Sequence, residues 1–440
     1  MQRIFVFLFS LLSAELLFAQ SNSIYCISTA PGEDASVQMR VSWATDTTQT
    51  GSAVLYTLES DTSWKDALTV PAMEEYRCDL FDGKMYEKAD GTVATAGVIF
   101  TKCGTSLIGL HPDTNYKYVI QTAEGQKSTV HHFRTAGARK WSACIISDFH
   151  SWLTRPVRIE SAMGLLDTVC NVDPSVDFIL SPGDLVAFGG CYYLWQRLFE
   201  RPIFEKYMWA RANGNHDNWD METPKEQRSD IPNNFFPATS YFPHNGYAGQ
   251  EGVCYHFRYG NTMFVMVNSE DISPDKPGEL DAARNWVRSV VTQERRGVNP
   301  PTFVVVCMHY EWFKGVNGKD FQHKHWGRLF DEIGVDVAIA GNNHAYMRSH
   351  RLFGGKVVDK KDGRGTLYLV NPASDNDRGR AVSEEESFND ELIARRWSEG
   401  KHTVAGIHMS VDDKQMTFTL IDREGKTIDS CTVNAVKYNK

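Results

Sequence analysis

Beyond its first nineteen residues this chain has no long apolar run, no dense stripe of Lys and Arg, no low-complexity segment and no internal repeat. Each absence excludes a class of protein. A membrane-spanning helix needs roughly 20 consecutive apolar residues, so no helical span is expected in the mature chain. A formal net charge of -9 without a basic stripe argues against a protein that holds nucleic acid through its phosphate backbone. The one basic cluster, Lys356, Lys360, Lys361 and Arg364, sits among Gly and Asp and reads as a solvated turn, with a local anion contact as the alternative. What remains is the composition of an ordinary globular protein, and 440 residues suffice for two or three domains with sizeable cores.

The apolar run that is present lies at the start. Residues 1–19 open with Arg3, run apolar from Ile4 to Leu12 and end in Leu17-Phe18-Ala19 before Gln20, the pattern of a secretory signal cleaved near Ala19. That run is too short to anchor the chain, and Glu15 follows it. The mature protein is therefore expected to be exported, secreted or periplasmic. Cys26 follows Ile24-Tyr25 rather than small residues, which does not fit a lipid-modified cysteine. Nine cysteines leave at least one thiol free or paired between chains. Cys78 and Cys103 are the first pair to test for a disulfide. Cys144 and Cys307, inside apolar runs, read as small buried hydrophobes.

Residues 22–136 read as all-β. In Val37 to Trp43 the apolar residues fall on every second position, which buries one strand face, and Ala53 to Tyr56 continues the strand pattern. Leu110-His111-Pro112-Asp113-Thr114-Asn115-Tyr116 resembles the corner of fibronectin type III sandwiches, where a Tyr hydroxyl ties a strand start to the upstream backbone. Trp43 and Tyr116 are therefore assigned to packing. Ala136-Gly137-Ala138 reads as a short hinge. From residue 140 to 440 the pattern becomes α/β, with helices over Val157 to Val172, Tyr192 to Glu205, Glu279 to Arg295 and His325 to Ile333. Towards the end Thr366 to Val370, Val404 to Ser410, Gln415 to Ile421 and Thr427 to Val433 read as consecutive strands, which implies two sheets. Two long irregular stretches, Asn218 to Gly252 and Asn371 to Gly400, are placed at a cleft.

Five polar blocks punctuate this second part. Asp148-Phe149-His150 follows the apolar run Ala143 to Ile146, Gly183-Asp184 follows Val176 to Leu180, and Gly214-Asn215-His216-Asp217 follows Met208 to Ala212. His309 follows Phe303 to Met308, and Gly341-Asn342-Asn343-His344 follows Val335 to Ala340. Ligands of open α/β sheets collect at the carboxyl ends of strands, so these blocks can converge on one crevice. Together they offer carboxylate, imidazole and amide donors with no thiolate pair, which suits ions of the Zn, Mn and Fe type.

In order and spacing the blocks resemble the calcineurin-like metallophosphoesterases, and within them the purple acid phosphatases with an N-terminal β-sandwich. That pattern is D-x-H or D-x-G, G-D-x-x, G-N-H-[DE], a lone His after a strand, and G-H-x-H. The run from Gly341 to Ser349 is similar to the family's GHxHxYxRS with one substitution. The resemblance covers nearly all of the mature chain. It implies a fibronectin type III-like sandwich followed by a four-layer αββα sandwich with two metal ions, Fe, Zn or Mn, at the sheet edge. A hydroxide held between the metals would attack a phosphate ester in line with its leaving group.

Carried over block by block, Asp184 is the bridging carboxylate. Asp148, His150 and His344 then complete the first metal's shell, Asn215 and His309 serve the second, and Asn342 is its remaining protein ligand. His216 faces the substrate, where it stabilises charge or protonates the leaving oxygen, and Asp217 orients it or caps the following turn. His323 and His325 occupy the segment where purple acid phosphatases place substrate-facing histidines, although the spacing differs. Arg348 and Arg378 are candidates to fork onto phosphate oxygens, against the alternative of a surface ion pair.

Two departures from the pattern matter. The purple enzymes carry Tyr three residues after the bridging Asp, where this chain has Ala187, and Gly where it has His150. An imidazole replaces a phenolate, so a protein that is not purple is expected. The first His of G-H-x-H is Asn342, a weaker donor towards Zn or Fe, so the second site is expected to be weak, to favour Mn or Mg, or to fill only with substrate. The expected function is an exported metal-dependent phosphoesterase of phosphomonoesters or phosphodiesters. The alternative is a protein that binds a phosphorylated ligand or glycan with little turnover.

Overall fold

The computed structural model describes residues 24–81, 98–138, 140–172, 176–220, 235–272, 277–313, 321–358, 364–375, 377–381 and 391–436. The expected secretory signal lies outside the described residues. Two four-stranded antiparallel sheets come first. One orders Ile24–Pro31, Gln38–Thr45, Val98–Ile108 and Glu74–Phe81; the other orders Leu68–Pro71, Ala53–Leu58, Asn115–Gln121 and His131–Arg134. Their inner faces share Val41, Trp43, Val54, Tyr56 and Tyr118, all buried. Trp43 donates its Nε1–H to Ser52 Oγ at 3.0 Å, so its polar edge is satisfied inside the core. The Tyr116 hydroxyl accepts from the His111 N–H at 2.9 Å, which is the corner tie expected from the Leu110 to Tyr116 run.

Two expectations in this region are corrected. Cys78 stands opposite Phe100 and Cys103 opposite Glu75 on paired strands, three rungs apart, and both cysteines are free. Three rungs are about 10 Å, beyond disulfide reach. The segment expected to be a hinge is stitched in place instead. Ala136 N–H donates to Ala35 O at 2.9 Å and Ala136 O accepts from Asp113 N–H at 3.1 Å. Further ties join the sandwich to the rest of the chain, including Ala35 N–H to Arg258 O at 2.9 Å and the stacking of Phe100 on Tyr192 at 4.2 Å.

The remaining chain builds two larger sheets. A six-stranded sheet orders Met208–Arg211, Phe178–Ser181, Trp141–Ile145, Ala405–Val411, Gln415–Asp422 and Thr427–Asn434, with the first three parallel. An eight-stranded sheet orders Tyr255–Tyr259, Thr262–Met266, Phe303–Cys307, Val337–Ala340, Thr366–Val370, Tyr346–Phe353 and Lys356–Val357, with Ile393–Trp397 paired to Tyr346–Phe353. The apolar runs are continuous because both strand faces are covered. Phe303, Val305 and Cys307 pack into the core shared with the six-stranded sheet. Val304 and Val306 pack into a second core with Leu280, Trp286, Trp326 and Leu329 of the helices Pro277–Arg296 and Phe321–Ile333. Helix Val157–Val172 has the expected bounds and packs on the six-stranded sheet.

The single helix expected over Tyr192 to Glu205 is two, Tyr192–Phe199 and Pro202–Lys206. Pro202 lacks the N–H that would continue the first helix, and Arg201 before it is extended at ψ 133°. The irregular stretch from Asn371 contains the strand Ile393–Trp397, and the one from Asn218 contains the short helix Phe235–Ala238. No helix among the described residues is long and apolar enough to cross a membrane.

Candidate metal centre

The strands Trp141–Ile145, Phe178–Ser181 and Met208–Arg211 end side by side, as do Phe303–Cys307 and Val337–Ala340 in the other sheet. The five polar blocks therefore meet at one edge. To turn inward there, Asp148, His150, Asp184, Asn342 and His344 adopt φ between 42° and 63°. They are five of the eight non-glycine residues with positive φ among the described residues, and such backbone costs about 1–3 kcal/mol each. The block glycines allow the close approach. A Cβ on Gly214 would lie 2.3 Å from Asp184 Oδ1, and one on Gly341 would lie 2.6 Å from Asp148 Oδ2.

Three imidazoles are clamped by backbone carbonyls. His216 Nδ1–H donates to Ala187 O at 2.8 Å, His309 Nδ1–H to Pro182 O at 2.9 Å, and His344 Nδ1–H to Arg378 O at 2.8 Å. Each bond fixes the tautomer and leaves Nε2 as the free donor of electrons, the arrangement found in metal-ligating histidines. His309 Nε2 then faces Asn215 Oδ1 at 3.1 Å and Asp184 Oδ2 at 3.2 Å. Nε2 of His344 lies 3.5 Å from Asp148 Oδ1, and Nε2 of His150 lies 3.0 Å from Asp184 Oδ2. Acceptors pointed at acceptors in a buried site require a cation, either a proton or a metal ion.

The donor set fits a pair of metal ions. Three groups have one ligand atom per residue within 4.8 Å of the others: Asp148, His150 and His344; His150, Asp184 and His216; and Asp148, Asp184 and His309. Asp184 belongs to the last two groups, Asp148 to the first and last, and His150 to the first two, so the three form one connected cluster. The buried groups offset one another's charge. Burial by itself would raise the Asp184 pKa, but His309 and His216, with hydrogen bonds from His150 and His309, hold it well below the carboxylate range. Burial by itself would lower His309, but Asp184 outweighs it and pushes the imidazole up to about 10. His150 goes the other way, lowered by burial and then by Arg378 and His216.

The comparisons with known proteins agree with this geometry. Residues 143–346 match the Calcineurin-like phosphoesterase family and residues 25–135 match the Purple acid Phosphatase, N-terminal domain. The chain carries a calcineurin-like phosphoesterase domain behind a purple acid phosphatase N-terminal domain. An uncharacterized protein of Mycobacterium tuberculosis is 25% identical over 393 residues, covering 77% of this chain and 67% of its own length. Purple acid phosphatase 15 of Arabidopsis thaliana is 26% identical over 306 residues, covering 63% of this chain and 53% of its own. Among solved structures, the purple acid phosphatase PPD1 from yellow lupin (Lupinus luteus) seeds superposes with a TM-score of 0.70 at 14% identity, over 94% of this chain and 74% of its own. PhoD superposes with a TM-score of 0.59 at 11% identity, over 94% of each chain. These two structures share the fold.

Not every candidate lies in the Asp/His cluster. Asp217 is a tie and does not hold His216 by its carboxylate. Its oxygens accept from the N–H groups of Asp184, Leu185, Val186 and Gly214 at 2.8 to 3.2 Å, which binds the second block to the third. His323 stacks on Phe313 at 4.7 Å and meets Tyr368 edge-on at 5.0 Å. His325 shares its helix, and neither imidazole belongs to the Asp/His groups of the site. Arg348 forks onto Asp429 at 2.6 and 3.2 Å, the ion-pair alternative. Arg378, in contrast, places a guanidinium nitrogen 3.1 Å from His150 Nε2.

Sequence reasoning missed the residues that hold these groups. Asp375 accepts the N–H groups of Asp377 and Arg378 at 2.9 and 2.7 Å, which shapes the loop carrying Arg378. Ser147 Oγ donates to Asp148 Oδ2 and accepts from Asn371 Nδ2. Glu311, buried two residues after His309, accepts from Asn342 Nδ2. The only local signal was polar residues beside apolar runs, which Ser147 and Glu311 share with many residues that do nothing.

Proposed function

We propose that this chain is an exported metal-dependent phosphoesterase that hydrolyses phosphomonoesters or phosphodiesters. The observation that carries the reading is the convergence of Asp184, His309 and Asn215 acceptors, with the imidazoles clamped by backbone carbonyls so that Nε2 is left for a cation. Asp148, His150, His344 and Asp184 would hold one metal ion, and Asp184, Asn215, His309 and Asn342 the other. Bound there, such ions supply positive charge for phosphoryl oxygens and a water of lowered pKa. The chain's own residues position the substrate. Arg378 offers its guanidinium to phosphoryl oxygens beside His150. His216, with its Nδ1–H committed to Ala187 O and its pKa pushed down to about 4 chiefly by burial, has Nε2 left on the ester side, where it must first take a proton before it can donate to the leaving oxygen. Phe188 and Trp219 pack on the His216 ring and restrict its rotation.

A binding protein with a degenerate second position is not favoured, because all five blocks meet at one edge with their imidazoles oriented. Hydrolysis of a chromogenic phosphomonoester and a phosphodiester, with Fe, Zn, Mn and Mg added separately, tests the function. Metal-dependent turnover that Asp184→Ala abolishes is expected. A tightly bound ion with no turnover under any metal would overturn the enzymatic reading.

A further inference from the structure

We propose that Glu311 is the positioning residue of the second cation position: it holds the Asn342 amide so that Oδ1 is the atom left for the cation. The inference rests on the metal-centre reading above. Asn342 stands where an imidazole is expected, and its main chain is locked to the first block, with its N–H on Asp148 Oδ1 at 2.9 Å and φ at 63°. Its side-chain Nδ2 donates to Glu311 Oε2. An ionised carboxylate only accepts, so the amide nitrogen must face Glu311 and the amide oxygen takes the other corner of the planar group. Without that carboxylate either corner could turn to the site, and an NH2 group binds no metal.

Glu311 is 1% exposed, so its hold on Asn342 is not diluted by solvent. Glu311 thus puts a carboxylate on the Asn342 side of the site. The other side carries Arg378 beside His150. The two positions therefore differ in donor chemistry. Asp148, Asp184, His150 and His344 give the first two carboxylates and two imidazoles. Asp184, Asn215, Asn342 and His309 give the second three oxygens and one nitrogen. Harder donors shift relative affinity away from Zn2+ and towards Mn2+ and Mg2+.

The test is titration calorimetry with Zn2+ and Mn2+ on the metal-free mature protein, with metal content after dialysis as a second readout, for wild type, Glu311→Gln, Asn342→His, Asn342→Ala and the Glu311→Gln/Asn342→Ala pair. Glu311→Gln should weaken the second Mn2+ step about 10- to 100-fold and leave the first step unchanged, the usual cost of losing a ligand's supporting partner. In the Asn342→Ala background the same change should add nothing, because Glu311 acts through the amide. Asn342→His should strengthen the second Zn2+ step and make it indifferent to Glu311. A second Mn2+ step unaffected by Glu311→Gln would overturn the proposal. So would an equal loss in the Asn342→Ala background, which would make Glu311 a direct ligand. Two steps that survive Asp184→Ala would instead sink the metal-centre reading, and this inference with it.

Discussion

Truncating Arg378 separates the two arginines that the sequence offered for phosphate contact. Its main chain is fixed by Asp375 at 2.7 Å and itself holds His344 at 2.8 Å, so Arg378→Ala removes the guanidinium and keeps the imidazole clamp. A hydrogen bond to a charged group is worth about 1.5–3 kcal/mol, and each 1.36 kcal/mol of barrier is tenfold in rate, so kcat/KM should fall about 10- to 150-fold. The measurement is steady-state hydrolysis of a chromogenic phosphomonoester by wild type, Arg378→Ala and Arg348→Ala at matched metal content. Arg348 is forked onto Asp429, with both side chains mostly buried, so its truncation should lower stability by about 1–3 kcal/mol and leave kcat/KM unchanged. If Arg378→Ala stays within about threefold of wild type, or Arg348→Ala is the variant that loses rate, the substrate role given to Arg378 is wrong.

Four further outcomes are expected. Gly214→Ala, whose Cβ would meet Asp184 Oδ1 and N at 2.3 and 2.4 Å, should lose bound metal and lower the melting temperature; normal metal content would refute the close-approach argument. Buried His131 is pushed down from 6.5 to about 4 by burial and then by His132, so between those values the unfolded chain takes a proton that the fold refuses. Stability should therefore be full above pH 6.5 and fall by roughly 3 kcal/mol as pH drops to about 4, and urea midpoints should show that acid limb flattened in His131→Phe. Cys144 Sγ and Cys170 Sγ lie 3.1 Å apart in the core, so incubation with oxidised glutathione should cost the denatured protein a pair of titratable thiols, and Cys170→Ala should abolish that loss. Iron-loaded protein should show no violet band, because Ala187 offers no phenolate; a band of that kind would mean that another tyrosine reaches the metal.

How much was legible follows from the range of each interaction. The five blocks could be read because each is a local pattern, an apolar run covered on both faces followed by donors at its carboxyl end. The corner tie of Tyr116 is equally local, five residues from His111. Helix Tyr192 to Glu205 was read too long although Pro202 marks the break, since the apolar spacing continues through it and conceals a single missing N–H. The hinge expected at Ala136 to Ala138 failed for the opposite reason. Small residues read as a linker, and only the turns that carry Ala35 and Asp113 show that both backbone groups of Ala136 are already bonded.

The sequence by itself therefore determined the two-part fold and the donors at the sheet edge, which rest on spacing, residue type and glycines that admit close approach. The tertiary structure alone decided that Arg378 lies beside His150 while Arg348 pairs with Asp429, that His323 packs on Phe313, that Asp217 ties backbone, and that Glu311 holds Asn342. Those choices are made by pairs such as Arg378 and His150, 228 residues apart, and Arg348 and Asp429, 81 apart. A charged side chain takes whichever partner the closed chain brings within about 3 Å, and no periodicity along the sequence records that distance.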